Sequence, residues 1–86
     1  MVTVTVKLFG TLRLDSGVKT FTAEAGRVRD IYPALLAEIR LRKPESELTE
    51  KDLQACLIAV NGNQANPRTK LQNGDMVYFF PAVAGG

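Results

Sequence analysis

With 86 residues the chain fits one domain and leaves no room for a second. Hydrophobic residues at 45% and charged residues at 23% are ordinary globular values that argue against disorder or a repeat, and a net charge of +2 is too weakly basic to point to nucleic acid. The sequence has no His and a single Cys, Cys56, which excludes a His-centred triad, a His- or Cys-cluster metal site and an internal disulfide.

Val2, Val4, Val6 and Leu8 alternate with Thr3, Thr5, Lys7 and Phe9, a period of two that predicts a strand with one buried side. Asp15-Ser16-Gly17 is turn chemistry, and Val18 to Ala23 predicts a second strand, so that the two read as a hairpin. Gly26 ends that unit. Val28, Ile31, Leu35 and Ile39 are spaced three, four and four residues, one apolar stripe on a helix. Pro33 falls in its first turn, where it removes no intrahelical bond, so the helix starts near Val28 to Asp30. Asp30 suits the positive end of the helix dipole and Arg40, Arg42 and Lys43 the negative end, before Pro44 stops it.

Pro44 to Asp52 is polar and acidic, and Thr49-Glu50-Lys51-Asp52 can open a short helical turn. Leu57 to Val60 reads as a buried strand. Asn61-Gly62 turns it, and Gln64 to Asn66 can add a short strand. Asn73-Gly74 is another tight turn, into an aromatic-rich strand from Met76 to Phe80 that Pro81 ends. One helix cannot cover both faces of a sheet, so the class is α+β, a mixed sheet packed on one main helix. A β-grasp arrangement fits, with the first and last strands adjacent at the sheet centre. The whole of 1–86 reads as a single domain, with 81–86 as an extended, flexible tail.

That tail, Pro81-Ala82-Val83-Ala84-Gly85-Gly86, combines tiny side chains with no charge. Glycine reaches backbone conformations closed to other residues, so two of them let a chain enter a narrow channel. Five extended residues reach roughly 17 Å, and the group of unusual chemical use at that distance is the terminal carboxylate of Gly86. One reading is a tethered carboxylate delivered into a partner's active site; the other is a frayed end of small residues.

Leu57-Ile58-Ala59-Val60-Asn61-Gly62, Thr69-Lys70-Leu71-Gln72-Asn73-Gly74-Asp75 and Val77 through Gly86 together resemble the MoaD/ThiS family of sulfur-carrier proteins. Val4 to Phe9 followed by Leu12-Arg13 resembles its MoaD branch, and Pro44 to Cys56 looks like a longer connection. The resemblance implies a ubiquitin-like β-grasp carrier, adenylated at Gly86 by a ubiquitin-activating-type enzyme using ATP and Mg²⁺ and then converted to a thiocarboxylate by a sulfur donor system. The carrier itself would bind no cofactor. In the MoaD branch the tail enters the large subunit of molybdopterin synthase and supplies the dithiolene sulfur of molybdopterin. Carried over, Gly86 bears the sulfur and Gly85 permits threading. Many MoaD-type tails have two prolines before the valine, whereas here Ala82 follows Pro81. Carriers for cysteine synthesis or transfer RNA thiolation end similarly, and a ubiquitin-like protein modifier is a further alternative. Thiamin-thiazole carriers are usually shorter.

Strand alternation puts Phe9, Tyr78 and Phe80 on the face opposite the helix, either as an aromatic docking patch beside the tail or as residues packed under loops. Arg13 meets an acidic partner surface or is a solvated charge. Residues 1–43 carry +4 and residues 44–86 carry −2, a segregation that helix-end placement explains without function. Cys56, beside Leu57 and Ile58, reads as a small buried hydrophobe rather than a nucleophile. The longest apolar run, Ala55 to Val60, is far below the ~20 residues of a membrane span, and no export signal opens the chain. The expected location is the cytoplasm, with no membrane and no nucleic-acid partner.

Overall fold

The computed structural model describes residues 1–81. The residues that follow, Ala82, Val83, Ala84, Gly85 and Gly86, lie outside the described part, as does the expectation of a flexible tail. Five strands form one sheet in the order β2-β1-β5-β3-β4: β1 Val2–Leu8, β2 Thr20–Ala25, β3 Leu57–Val60, β4 Asn63–Ala65 and β5 Met76–Phe80. β1 and β5 are parallel neighbours, Val6 opposite Val77 and Leu8 opposite Phe79, while β2 on β1, and β3 on both β4 and β5, are antiparallel. This is the expected mixed β-grasp sheet, with the first and last strands side by side near its centre.

Helix α2, Ile31–Arg42, follows a single 3-10 turn at Val28–Asp30. Its stripe of Val28, Ile31, Leu35 and Ile39 is fully buried against Val4, Val6, Leu8, Val77 and Phe79 of the sheet. Pro33 sits at the third helical position, where its missing N–H has no intrahelical acceptor to lose. The Asp30 carboxylate accepts from the backbone N–H groups of Gly26 and Arg27 at 3.1 and 2.9 Å, and these bonds hold its pKa below the ordinary value. At the other end Arg40 ties the next loop to the helix, Lys43 reaches the segment before β2, and Arg42 pairs with Glu38 within the helix. Arg40 donates to the carbonyls of Ser46 and Leu48, and Lys43 to that of Leu14.

Three details depart from the periodicity reading. The β1–β2 connection contains a short helix, α1, Thr11–Ser16, that ends at Gly17 in the left-handed region, φ 72°. The Asp15-Ser16-Gly17 turn is thus the end of a helix, and the fully buried Ser16 hydroxyl accepts from Val18 N–H at 3.0 Å. The second strand begins at Thr20, not Val18, and its inward residues are Phe21, Ala23 and Ala25, opposite Val6, Val4 and Val2. Val18 is buried from the loop before the strand. β4 lies one residue earlier than expected. The helical turn after Thr49 does form, as α3, Glu50–Gln54, with Thr49 accepting from Asp52 N–H and Asp52 accepting back from Thr49 N–H. Its Leu53 is completely buried, so the 44–56 connection contributes to the core.

Candidate functional site

β1 and β5 pair with Lys7 opposite Tyr78 and Leu8 opposite Phe79, and residues opposite one another share a face of the sheet. Phe9, just after β1, therefore meets Tyr78 and Phe80 of β5 on the side away from α2. The Phe9 ring stacks on Phe80 with centroids 4.9 Å apart and meets Tyr78 edge-on at 5.6 Å. Phe80 is 37% exposed, and its neighbour across the ladder, Leu57 of β3, is 56% exposed. The three aromatic side chains form a partly exposed patch, with Phe9 and Tyr78 half-buried beside the exposed Phe80. Leu57 extends it. The uninterrupted apolar run Leu57 to Val60 concealed that outward position, but its pairing with an outward Phe80 reveals it.

One flank of the patch is concave. A cleft of about 270 Å³ is lined by Lys7, Phe9, Arg13, Lys19 and Tyr78 among others. Arg13, exposed on α1, thus stands at the patch edge. Lys7 and Lys19 join it; Lys7 has the parity of Phe9, a signal in the sequence not used above. None of these three cations has a carboxylate within ion-pair distance among the described residues. The surface offers apolar rings bordered by positive charge, which fits a partner with an apolar projection and acidic neighbours.

Pro81 is where the described chain leaves the sheet. It packs on Gly10, whose φ is +61°, and a Cβ built at Gly10 would come within 3.2 Å of Pro81 Cγ. The positive φ calls for glycine there, and a side chain would in addition press on the Pro81 ring. Phe9 N–H donates to Phe79 O at 3.1 Å, locking the two strand ends from which Gly10 and Pro81 continue. On the other side of Pro81 lies a cleft of about 570 Å³, whose lining includes Asp15, Lys43, Asp52 and Cys56. Cys56 is half-buried, not fully enclosed as the sequence suggested, and its Sγ donates to Asp52 O at 3.5 Å. Burial first, and the Asp52 charge second, raise its pKa, so it is a thiol at neutral pH and a weak nucleophile. Among the described residues no group of three metal-ligating side chains converges, and no helix is long and apolar enough to cross a membrane.

The sequence model of the ThiS family matches residues 6–86. The chain belongs to the ThiS family. This ubiquitin-like sulfur-carrier family accounts for the sheet order and for the aromatic strand that leads into the tail. Among solved structures, a Pyrococcus furiosus protein designated molybdopterin converting factor subunit 1 is 33% identical, with a TM-score of 0.64 over 96% of this chain and 100% of that one. Small archaeal modifier protein 1 of Methanosarcina acetivorans is 26% identical, with a TM-score of 0.74 over 100% and 98%. The complex of subunits 1 and 2 of the molybdopterin-converting factor of Helicobacter pylori matches at 28% identity and a TM-score of 0.58 over 99% and 100%. No curated protein matches the chain.

Proposed function

We propose that this ThiS-family chain carries sulfur as a thiocarboxylate on Gly86 and serves as the small subunit of a molybdopterin synthase. The observation that carries the reading is the extent of the family match, which runs through residue 86 and so places the diglycine end inside the shared pattern. The molybdopterin branch is supported by the likeness to the subunit 1 proteins of P. furiosus and H. pylori, the latter in complex with its subunit 2.

In this scheme a carboxylate oxygen of Gly86 attacks the α-phosphorus of ATP, held with Mg²⁺ by a ubiquitin-activating-type partner, and pyrophosphate leaves. A sulfur nucleophile from the donor system then displaces AMP. An oxygen-bound carboxylate is a poor acyl donor, and the mixed anhydride makes the second step downhill. Gly85 lets the end of the tail pass through a narrow channel. Pro81, Ala82, Val83 and Ala84 span the distance, and Phe9, Arg13, Tyr78 and Phe80 dock the large subunit and the activating enzyme. Catalytic side chains come from the partners, in keeping with a sequence that lacks His.

The test is intact mass spectrometry after incubation with ATP, Mg²⁺, a sulfur donor and the activating enzyme. Exchange of one terminal oxygen for sulfur supports the carrier role, and product formation with purified large subunit supports the branch. A chain lacking Gly86 that still supports sulfur transfer would refute the proposal. The similarity to small archaeal modifier protein 1 favours a second reading, in which Gly86 forms isopeptide bonds to lysines. Glycyl remnants on digested target proteins distinguish it.

A further inference from the structure

At the end of the sheet opposite Pro81, two segments distant in sequence run side by side. Leu71 N–H donates to Gly26 O at 2.9 Å, Val28 N–H to Thr69 O at 3.0 Å and Arg29 N–H to Pro67 O at 3.0 Å, and Arg27 bridges to Lys70. This pairing sets Arg27 against Lys70 and brings Arg29 and Arg68 beside them. Arg29, Arg68 and Lys70 are exposed, and Arg27 is half-buried. Arg27 Nη1 donates to the carbonyl of Arg68 at 2.7 Å, not to a carboxylate.

Among the described residues the only ion pair is Glu38–Arg42, on α2. Asp30, the acid nearest the cluster, accepts backbone bonds from Gly26 and Arg27, and Glu50 shares a shallow groove with Arg29 without reaching ion-pair distance. Like charges facing one another across paired segments are destabilising. The backbone bonds that hold 26–30 to 67–71 need none of these four side chains. Four cations are thus gathered with no ion pair among the described residues. Among the same residues Asp30 is the one carboxylate close enough to feel the charges of Arg29 and Arg27, and apart from the Arg27 bond to the Arg68 carbonyl the fold does not require their side chains.

We propose that this pole is a docking surface for an acidic segment of a partner protein, separate from the aromatic face and the tail. β1 spans the interval, with Val2 opposite Ala25 at this end and Leu8 opposite Phe79 at the other. Its residues at ~3.3 Å each separate the two surfaces by roughly 20 Å, so both can be occupied together. A single-stranded nucleic acid is the weaker fit, because the aromatic rings on which bases would stack lie at the opposite pole. A second copy would have to present the acidic cleft beside Pro81, the ground that the tail's own partners need.

The test uses the full chain and a fluorescein-labelled oligoglutamate peptide at low ionic strength. Backbone amide NMR shifts should centre on residues 26–30 and 67–71. The triple variant Arg29→Gln, Arg68→Gln, Lys70→Gln should bind roughly tenfold more weakly, and added salt should weaken the parent similarly. Arg27 is left intact because it bonds the Arg68 carbonyl, and an unchanged thermal melt shows that the variant is folded. The variant Lys7→Gln, Arg13→Gln, Lys19→Gln should bind as the parent does. Absence of binding, shifts centred on the aromatic face, or unchanged affinity in the first variant would overturn the proposal. So would tighter binding of an oligouridylate at the same residues, or self-association in sedimentation that the first variant abolishes.

Discussion

Tyr32 occupies the second position of α2, one residue past Ile31 on the side of the buried stripe, and is only 3% exposed. Its ring meets Phe79 edge-on at 6.0 Å, but its hydroxyl is buried without a hydrogen-bond partner. A hydroxyl taken out of water and left unpaired costs about 1–3 kcal/mol. Tyr32→Phe removes that penalty and keeps the ring, its volume and its contact with Phe79, so the variant should be more stable than the parent. In a domain of this size each 1 kcal/mol moves the melting temperature by about 4–8 °C, and a rise of at least that size is expected in thermal melts followed by circular dichroism. Alkali adds a second signature. Burial first, then the charges of Cys56 and Glu50, raise the Tyr32 pKa. Above pH ~10 the unfolded chain therefore releases this proton while the folded chain retains it, and parent stability falls with rising pH. Tyr32→Phe lacks that term, so its advantage should widen above that pH. A variant less stable than the parent at pH 7 would refute the reasoning, because the hydroxyl must then have a favourable partner in solution.

Leu53→Ala should cost about 2–5 kcal/mol by urea unfolding, whereas Leu57→Ala, on the open face, should change stability by less than about 1 kcal/mol; equal effects would contradict the inclusion of α3 in the core. Asp30→Asn should lower the unfolding midpoint at neutral pH. Because the folded pKa of Asp30 is depressed, its contribution is present above the unfolded value and is lost as pH falls through the folded one, so parent and variant melts should converge in acid. Gly10→Ala should destabilise by about 1–3 kcal/mol through its positive φ with ψ −143° alone, with added displacement of Pro81 visible as amide NMR shifts at Phe9 and Phe80.

β1, β5 and the α2 stripe were legible because each is long enough to repeat its period several times. α1 was not: six residues hold fewer than two turns, and only Leu12 and Ser16 of them are buried. Tyr32 escaped because an apolar stripe is wider than one residue per turn, so the position after Ile31 also faces inward. In β2 the buried Val18 belongs to the loop, and counting it as strand set the start of the element two residues early. The aromatic face was readable from alternation along β1 and β5. The basic pole was not, because Arg27 and Lys70 become neighbours through pairing between segments more than 35 residues apart.

The position of β5 between β1 and β3 also bears on biosynthesis. Until Met76 to Phe80 have emerged from the ribosome, the polypeptide holds two separate ribbons, β1 with β2 and β3 with β4. Paired strands of that size are barely stable alone. Closure must therefore wait until β5 has been made, and a product terminated before it stays open and vulnerable to proteases. Integrity of the globule thereby certifies that translation has gone at least as far as the point where the tail begins.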